Sequence, residues 1–468
     1  MKLQCFVLSV LSLYGLAFGN VWSEPESLVP FNTHNEDPAV IIDNSGVAWA
    51  LALPWVLRFQ NGETGWQKMT EGGIGGISGM DRGCFDKGDT LWLLNDNDWQ
   101  IYYIRWDGES WSEKEYVLTY SSCNFGSKIT ADSTNGVWAA WSTEWWGFFK
   151  GAYNRYQNGV WQEPQPVTDT LEEGDHVLNS ITTDAYGRVW FGWSQSQGGK
   201  MVFETRYYDN GNWSEVSSIA ESKWLVRLKL TPDRKGGVWA LWNQQDGGLH
   251  TDYLIKASYW NGDAWTSPET VAVAGAFYND WFPCGKIAVD AYGNAWAVWR
   301  QALEDNDKYG DIYYSVNTGE GWSEPAPVDT HPAVDQYPDI AVDGEGRIWC
   351  VWSSNREGED EWDYSIWASY ATVVGVKEPV TPVTHHLPSL TIDKSVGGEF
   401  TFSVSHSNIV RGIVIYDASG RVIRDLTISD NQTIHWDGTD AKGQALSPGV
   451  YFVKLSPASS TLKLILIR

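Results

Sequence analysis

Cations are scarce in this chain: 59 Asp and Glu stand against 33 Lys and Arg in 468 residues, a formal net charge of −26. So acidic a surface repels phosphate backbones and anionic lipid, which argues against nucleic acid or a membrane surface as partner. Cysteine is scarce too. Cys5 lies in the N-terminal apolar run, and Cys84, Cys123, Cys284 and Cys350 are too few and too scattered for a disulfide scaffold, so buried free thiols are expected. After residue 20 no stretch is long and apolar enough to span a bilayer. The sequence also lacks a Ser-His-Asp signature, a phosphate loop and a metal motif, which leaves the commoner catalytic classes without support. What is abundant is tryptophan, 30 residues of it, and each position calls for an explanation.

Residues 1–20 have the form of a secretory signal peptide: Lys2, a short apolar run, then small residues at Ala17 and Gly19. A secreted or outer-membrane-surface protein of bacterial type is therefore expected.

The stretch Lys286 to Trp299 holds an Asp, a Gly-containing turn, and a Trp six positions after the Asp. The same spacing recurs as Asp43 to Trp49, Asp86 to Trp92, Asp132 to Trp138, Asp184 to Trp190, Asp233 to Trp239, Asp290 to Trp296 and Asp343 to Trp349. A short apolar run, a turn and an aromatic run describe a β-hairpin. Interleaved with these hairpins is a second motif, Trp-Ser-Glu-Pro or a variant, at Trp22, Trp66, Trp111, Trp161, Trp213, Trp265 and Trp322. A third apolar segment such as Ile312-Tyr313-Tyr314 lies between the two. Each repeat thus offers four strands, labelled A to D in chain order. Seven such units predict an all-β, seven-bladed β-propeller, with six or eight blades as alternatives. The last unit lacks a D strand, and Val21 to Val29 is a D strand without a unit, so the N-terminal strand is expected to close the ring. The repeated Asp is read as scaffold, a carboxylate that accepts backbone N–H bonds and fixes its turn.

The propeller is expected over 21–371, a Pro-containing linker over 372–387, and a small Ig-like β-sandwich over 388–468. Ile415-Tyr416-Asp417, Gly420-Arg421-Val422, Trp436-Asp437-Gly438, Asp440, Gly443 and Gly449-Val450-Tyr451-Phe452, with Arg468 at the end, make this unit resemble two related families. These are the C-terminal sorting domain of type IX secretion cargo and the Ig-like domain of flagellar hook-capping proteins. The resemblance implies export across an outer membrane with the type IX machinery as partner. Type IX tails usually begin on a Pro-Asn-Pro-like segment, where this chain has Leu387-Pro388-Ser389-Leu390.

The repeats also resemble sialidase-type and related extracellular propellers, in architecture alone. Sialidase Asp-boxes fall between the third and fourth strands of a blade, whereas the Asp turns here fall between A and B, and no motif assigns an arginine triad.

Strands A to D and the tail claim all but seven of the Trp residues. Trp55, Trp99, Trp145, Trp146, Trp224, Trp281 and Trp362 remain, each in or beside a B–C or D–A loop, and those loops emerge at one end of a propeller. Flat rings in loops beside carboxylates and amides suit carbohydrate. Trp55, Trp99, Trp145, Trp146, Trp224, Trp281 and Trp362, with Asp98, Asp280 and Arg300, are therefore the candidate ligand-binding residues. The leading expectation is binding of an extracellular ligand, most plausibly a glycan. A glycoside hydrolase or lyase acting in the same funnel and a protein-interaction or envelope-structural module stay open, and no catalytic residue is assigned. No cofactor is expected apart from a weak calcium loop, in which Asp305, Asp307 and Asp311 alternate around Gly310 without a closing acid.

Overall fold

The computed structural model describes residues 22–29, 37–52, 55–60, 65–69, 82–96, 100–118, 124–145, 147–168, 174–245, 251–276, 285–302, 310–358, 363–372, 390–392, 394, 396–404, 412–417, 421–427, 433–456 and 461–467. Among them every regular element is a β-strand. Up to Thr372 the strands form seven antiparallel sheets, each ordered A-B-C-D across its width. Strand A runs as Ala39–Ile42, Gly83–Phe85, Asn124–Ala131, His176–Thr183, Trp224–Pro232, Lys286–Val289 and Asp335–Val342. Each A strand lies against the A strand of the next sheet, and that of the seventh sheet lies against that of the first. Together the seven line a central cavity of about 820 Å³.

The Asp turns are the regular feature of the frame. In the first sheet one oxygen of Asp43 accepts the backbone N–H groups of Ser45 (3.0 Å) and Val47 (2.8 Å), and the other accepts the Trp49 indole N–H at 2.9 Å. The same pair of roles recurs at Asp86, Asp132, Asp184, Asp290 and Asp343, with indole bonds of 2.7–2.9 Å. In the fifth sheet the Tyr259 hydroxyl takes the second oxygen of Asp233. The indole bond explains why the residue six places on is Trp: no other apolar ring of that reach carries an N–H for a buried carboxylate. Burial alone would raise the Asp43 carboxyl, and the bonds from Ser45, Trp49 and Val47 reverse this and hold it below the usual range. At Arg58, Arg155, Arg188 and Arg347 a guanidinium lies over the Trp of the turn and pairs with its Asp.

Both Trp positions of strand B are buried although they point to opposite faces of the sheet, as at Trp296 and Trp299 or Trp349 and Trp352. Sheets are covered on both sides by their neighbours, so neither face meets water.

Strand D differs from the continuous strand read from sequence over Trp322 to Val328. In the sixth sheet only Ala326–Pro327 pairs as strand, and Trp322 makes an isolated bridge to Asn317. Pro325 has no N–H to give the ladder, but the same break follows Trp111 and Trp213, where no Pro stands, so what the repeats share is the Ser after the Trp. The Ser compensates. Ser323 donates its N–H to the Val316 carbonyl at 2.9 Å while its hydroxyl accepts the Val316 N–H at 3.1 Å. Ser112 and Ser214 bond the same way to Arg105 and Tyr207.

The N-terminal segment repeats this chemistry 347 residues away in sequence. Glu26–Val29 pairs antiparallel with Ser365–Thr372, Trp22 bridges Ala371, and Ser23 exchanges the same two bonds with Tyr370, at 2.8 and 3.0 Å. On the other side of the same junction the Gly344 N–H bonds the Gly46 carbonyl at 2.7 Å. A Cβ on Gly46 would lie 2.6 Å from the Gly344 Cα, so the two turns meet only as glycines.

The tail forms two sheets over a core that includes Phe400, Phe402, Ile415, Trp436, Val453 and Leu464. Cys84 and Cys350 are free thiols, raised by burial, while Cys123 and Cys284 lie outside the described residues.

Candidate binding site at the loop end of the central cavity

Strand A begins at the D–A loop and ends at its Asp, so residues early in the strand stand at the B–C/D–A end of the cavity. The residue four before the Asp is Ala39, Arg82, Lys128, Ser180, Lys229, Lys286 and Asp339 in the seven sheets. Four of these seven are basic, in a chain where acids outnumber bases by nearly two to one.

Two places earlier the backbone is left-handed in four sheets: Asp37 (φ 63°), Gly126 (φ 66°), Arg227 (φ 60°) and Tyr337 (φ 52°). In the third, fifth and seventh sheets the A–B register shifts at this point, between Phe125 and Lys128, Val226 and Lys229, and Gln336 and Asp339. A bulge with a left-handed residue turns a side chain out of the pleat. The conformation repeats, but the side chains do not. For Asp, Arg and Tyr the conformation is strained in a way that it is not for Gly.

Asp37 is half-buried, and burial raises its carboxyl above the usual range against the opposing pull of Arg227, Lys286, Arg82 and Lys128. Those five residues come from five different sheets, so the charges converge across the cavity. One oxygen of Asp37 is buried without a hydrogen-bond partner among the described residues. Arg82 also pairs with Asp96 at 2.8 Å and donates to the Asn95 side chain at 3.1 Å, and Asp339 accepts the Val40 N–H at 2.9 Å. Beside this group a cavity of about 360 Å³ is lined by Lys128, Asn179, Arg227, Lys229 and Lys286. Arg227 is exposed, and Lys286 is buried.

The residues singled out from sequence fall variously. Trp224 opens strand A of the fifth sheet and is exposed, and Trp55 opens strand C of the first, half-buried with the Lys68 ammonium over its ring. Trp145 ends a strand at the same end. Trp99, Trp146, Trp281, Trp362, Asp98 and Asp280 lie outside the described residues, as do Asp305 and Asp307. Arg300 is 2% exposed, beneath a backbone so close that a Cβ on Gly310 would lie 2.6 Å from its Nε. This makes it an interior residue rather than part of an open face. Asp311 is buried in strand C opposite Gln301, and among the described residues no group of His, Cys, Asp and Glu is placed to hold a metal ion.

Sequence reasoning passed over Asp37, Arg82, Lys128, Arg227, Lys229 and Lys286. Registering the A strands on their Asp would have exposed the basic position. The left-handed residues had no such signal.

Residues 389–460 match the family model of the FlgD Ig-like domain. The tail is therefore similar to that domain. None of the curated proteins compared matches the chain in sequence. Among solved structures, a PL25 ulvan lyase bound to -[GlcA(1-4)Rha3S]- is 11% identical with a TM-score of 0.49, over 72% of this chain and 95% of that one. The NanB sialidase from Streptococcus pneumoniae is 10% identical with a TM-score of 0.43, over 74% of this chain and 68% of that one. PorZ, a surface component of the type-IX secretion system of Porphyromonas gingivalis, is 14% identical with a TM-score of 0.35, over 91% of this chain and 64% of that one. Among the described residues no helix is long and apolar enough to cross a membrane, which says nothing of a β-barrel.

Proposed function

We propose that the chain is an exported protein, displayed on the cell surface or released, that binds an extracellular carbohydrate at the B–C/D–A end of a seven-bladed β-propeller. In this reading residues 1–20 are the signal peptide. Residues 21–371 form the blades, closed by the N-terminal strand, 372–387 are the linker and 388–468 a type IX sorting domain of Ig-like form. The observation that carries the reading is the loss of symmetry at one end only. At the Asp-turn end six sheets spend the same Asp and Trp on the same bonds, and the fifth puts a Tyr in the place of the Trp donor. At the loop end stand the exposed Trp224, the half-buried Trp55 and a set of charges that no repeat requires. Aromatic platforms beside polar groups suit hydroxyl-rich ligands.

A glycan array probed with the intact chain tests this, followed by Trp55→Ala, Trp224→Ala, Trp99→Ala, Trp145→Ala, Trp281→Ala and Trp362→Ala. Loss of binding in several variants is expected, and unchanged binding in all of them would sink the site. Asp37 favours a second reading, cleavage of the bound saccharide by carboxylate catalysis, because one of its oxygens has no hydrogen-bond partner among the described residues. Released reducing sugar or unsaturated product, abolished in Asp37→Asn, would establish it. Export has its own test: if deleting 388–468 leaves the protein at the surface or in the medium as before, the tail is not the sorting signal.

A further inference from the structure

We propose that the cavity between the fifth and sixth sheets, at their Asp-turn end, binds a guanidinium group, that of arginine or of an arginine side chain, stacked on the Trp239 ring and paired with Asp233 and Glu269. The site lies at the opposite end of the sheets from the carbohydrate face and stands or falls independently of it.

The turn Trp residues of the other sheets show what this position takes. Six of the seven are buried, and only Trp239 is half-buried. In five sheets a guanidinium lies over the ring, 4.8–5.6 Å from its centroid. Arg58, Arg105 and Arg155 reach it from the strand C residue opposite the Trp, and Arg188 and Arg347 from the position four after the Asp. The sixth sheet has no such cation, but Trp22 and Tyr314 pack on Trp296 and the Asn294 amide donates to Asp290 at 2.8 Å.

The fifth sheet has neither device. Gly237 stands where Arg188 and Arg347 stand, and Tyr259 stands where Arg155 does. The Tyr259 hydroxyl donates at 2.7 Å to the Asp233 oxygen that elsewhere accepts the indole N–H. Among the described residues Trp239 therefore has neither a cation over its ring nor an acceptor for its N–H. In the third sheet the matching oxygen of Asp132 accepts two donors, the Trp138 indole and Arg155, whereas at Asp233 it accepts Tyr259 alone among the described residues.

Space replaces the missing group. A cavity of about 330 Å³ opens on Trp239 and Tyr259, within the range of small-ligand sites, roughly 300–1,000 Å³. Its carboxylates are Asp233, Glu269 and Asp290, and its cations are Arg234 and Lys235. Acids thus exceed bases there, and a chain of net charge −26 draws cationic ligands in general. A cation over an indole face beside a carboxylate is held by the ring quadrupole and by the opposite charge together, and a planar guanidinium adds directed N–H donors that an ammonium lacks.

Isothermal titration of the full chain tests this with L-arginine, with the blocked peptide acetyl-Gly-Arg-Gly-amide, and with the citrulline counterpart of each, which keeps the shape without the charge. Binding of one or both arginine ligands and of neither citrulline one is expected. Binding of the peptide assigns the site to a protein side chain, and binding of free arginine alone assigns it to a small molecule. Glu269→Gln, a change at an exposed position, should weaken binding about threefold, and Trp239→Ala about tenfold. Tyr259→Arg completes in the fifth sheet the set Asp132, Gly136, Trp138 and Arg155 of the third. It should raise the melting temperature and abolish arginine binding, because the chain then supplies the guanidinium itself. Failure of both arginine ligands to bind more tightly than citrulline would overturn the proposal. So would equal affinity in Glu269→Gln, or arginine binding retained in a folded Tyr259→Arg chain.

Discussion

The two ends of the sheets are built on opposite rules. At the Asp-turn end the frame says the same thing in every repeat: a carboxylate ties its own turn with one oxygen and a Trp or Tyr side chain with the other. At the loop end the backbone still repeats, as the four left-handed residues show, but the side chains on it are Asp, Gly, Arg and Tyr. Repetition marks what holds the molecule together. Departure from it marks what the frame does not need, and a ligand can then claim.

That contrast can be broken first at its strongest point. Asp290 is buried and takes the N–H groups of Tyr292, Asn294 and Trp296 as well as the Asn294 amide. Asp290→Ala leaves two buried side-chain donors without an acceptor and should cost about 2–4 kcal/mol in denaturant unfolding. Next, Gly344→Ala places a methyl against Gly46, its Cβ 2.9 Å from the Gly46 Cα, and should cost about 1–3 kcal/mol by the same measurement. At the other end Arg227→Ala removes an exposed side chain and should change stability by no more than about 0.5 kcal/mol, because no core packing is lost with it. A stability loss there as large as at Asp290 would erase the distinction between the ends.

The last effect is in pH. Burial pushes the Asp335 carboxyl up to about 7 against the pull of Arg356, which bonds it at 2.9 Å. The folded state therefore holds a proton that the unfolded chain releases near the ordinary carboxylate value. Its contribution to stability is complete below about 4 and is lost as pH rises through about 7. Melting temperature measured from pH 4 to 8 should fall more steeply for the wild-type chain than for Asp335→Asn. Identical slopes would show that the group is not so perturbed.

The architecture was legible because its chemistry is local. An Asp, a Gly turn and a Trp at a fixed spacing form one hairpin, and the count of hairpins and the stray N-terminal Trp-Ser-Glu-Pro strand could be read from spacing alone. The indole bond to the Asp, the Ser that doubles its bond at the break, and the broken D strand were not legible, since each depends on hydrogen bonds between strands. The site was legible in part. Removing scaffold Trp residues singled out Trp55 and Trp224, which the fold sets at the loop end, but Arg300 looked like a loop-face residue only because the sequence does not show that its neighbours bury it. Asp37 and Arg227 lie 190 positions apart and meet only because the first and fifth sheets face one cavity.

The most direct test removes one exposed side chain from each end and measures binding of an array-positive glycan under identical conditions. Trp224→Ala takes an aromatic ring from the loop end, and Lys87→Ala takes a side chain from an exposed position on an Asp turn. Both positions are exposed, and neither change should disturb the fold. The expected result is an affinity for the glycan about tenfold weaker in Trp224→Ala and unchanged in Lys87→Ala. Equal affinities in the two variants would contradict the account, because the ends would then differ in appearance and not in function.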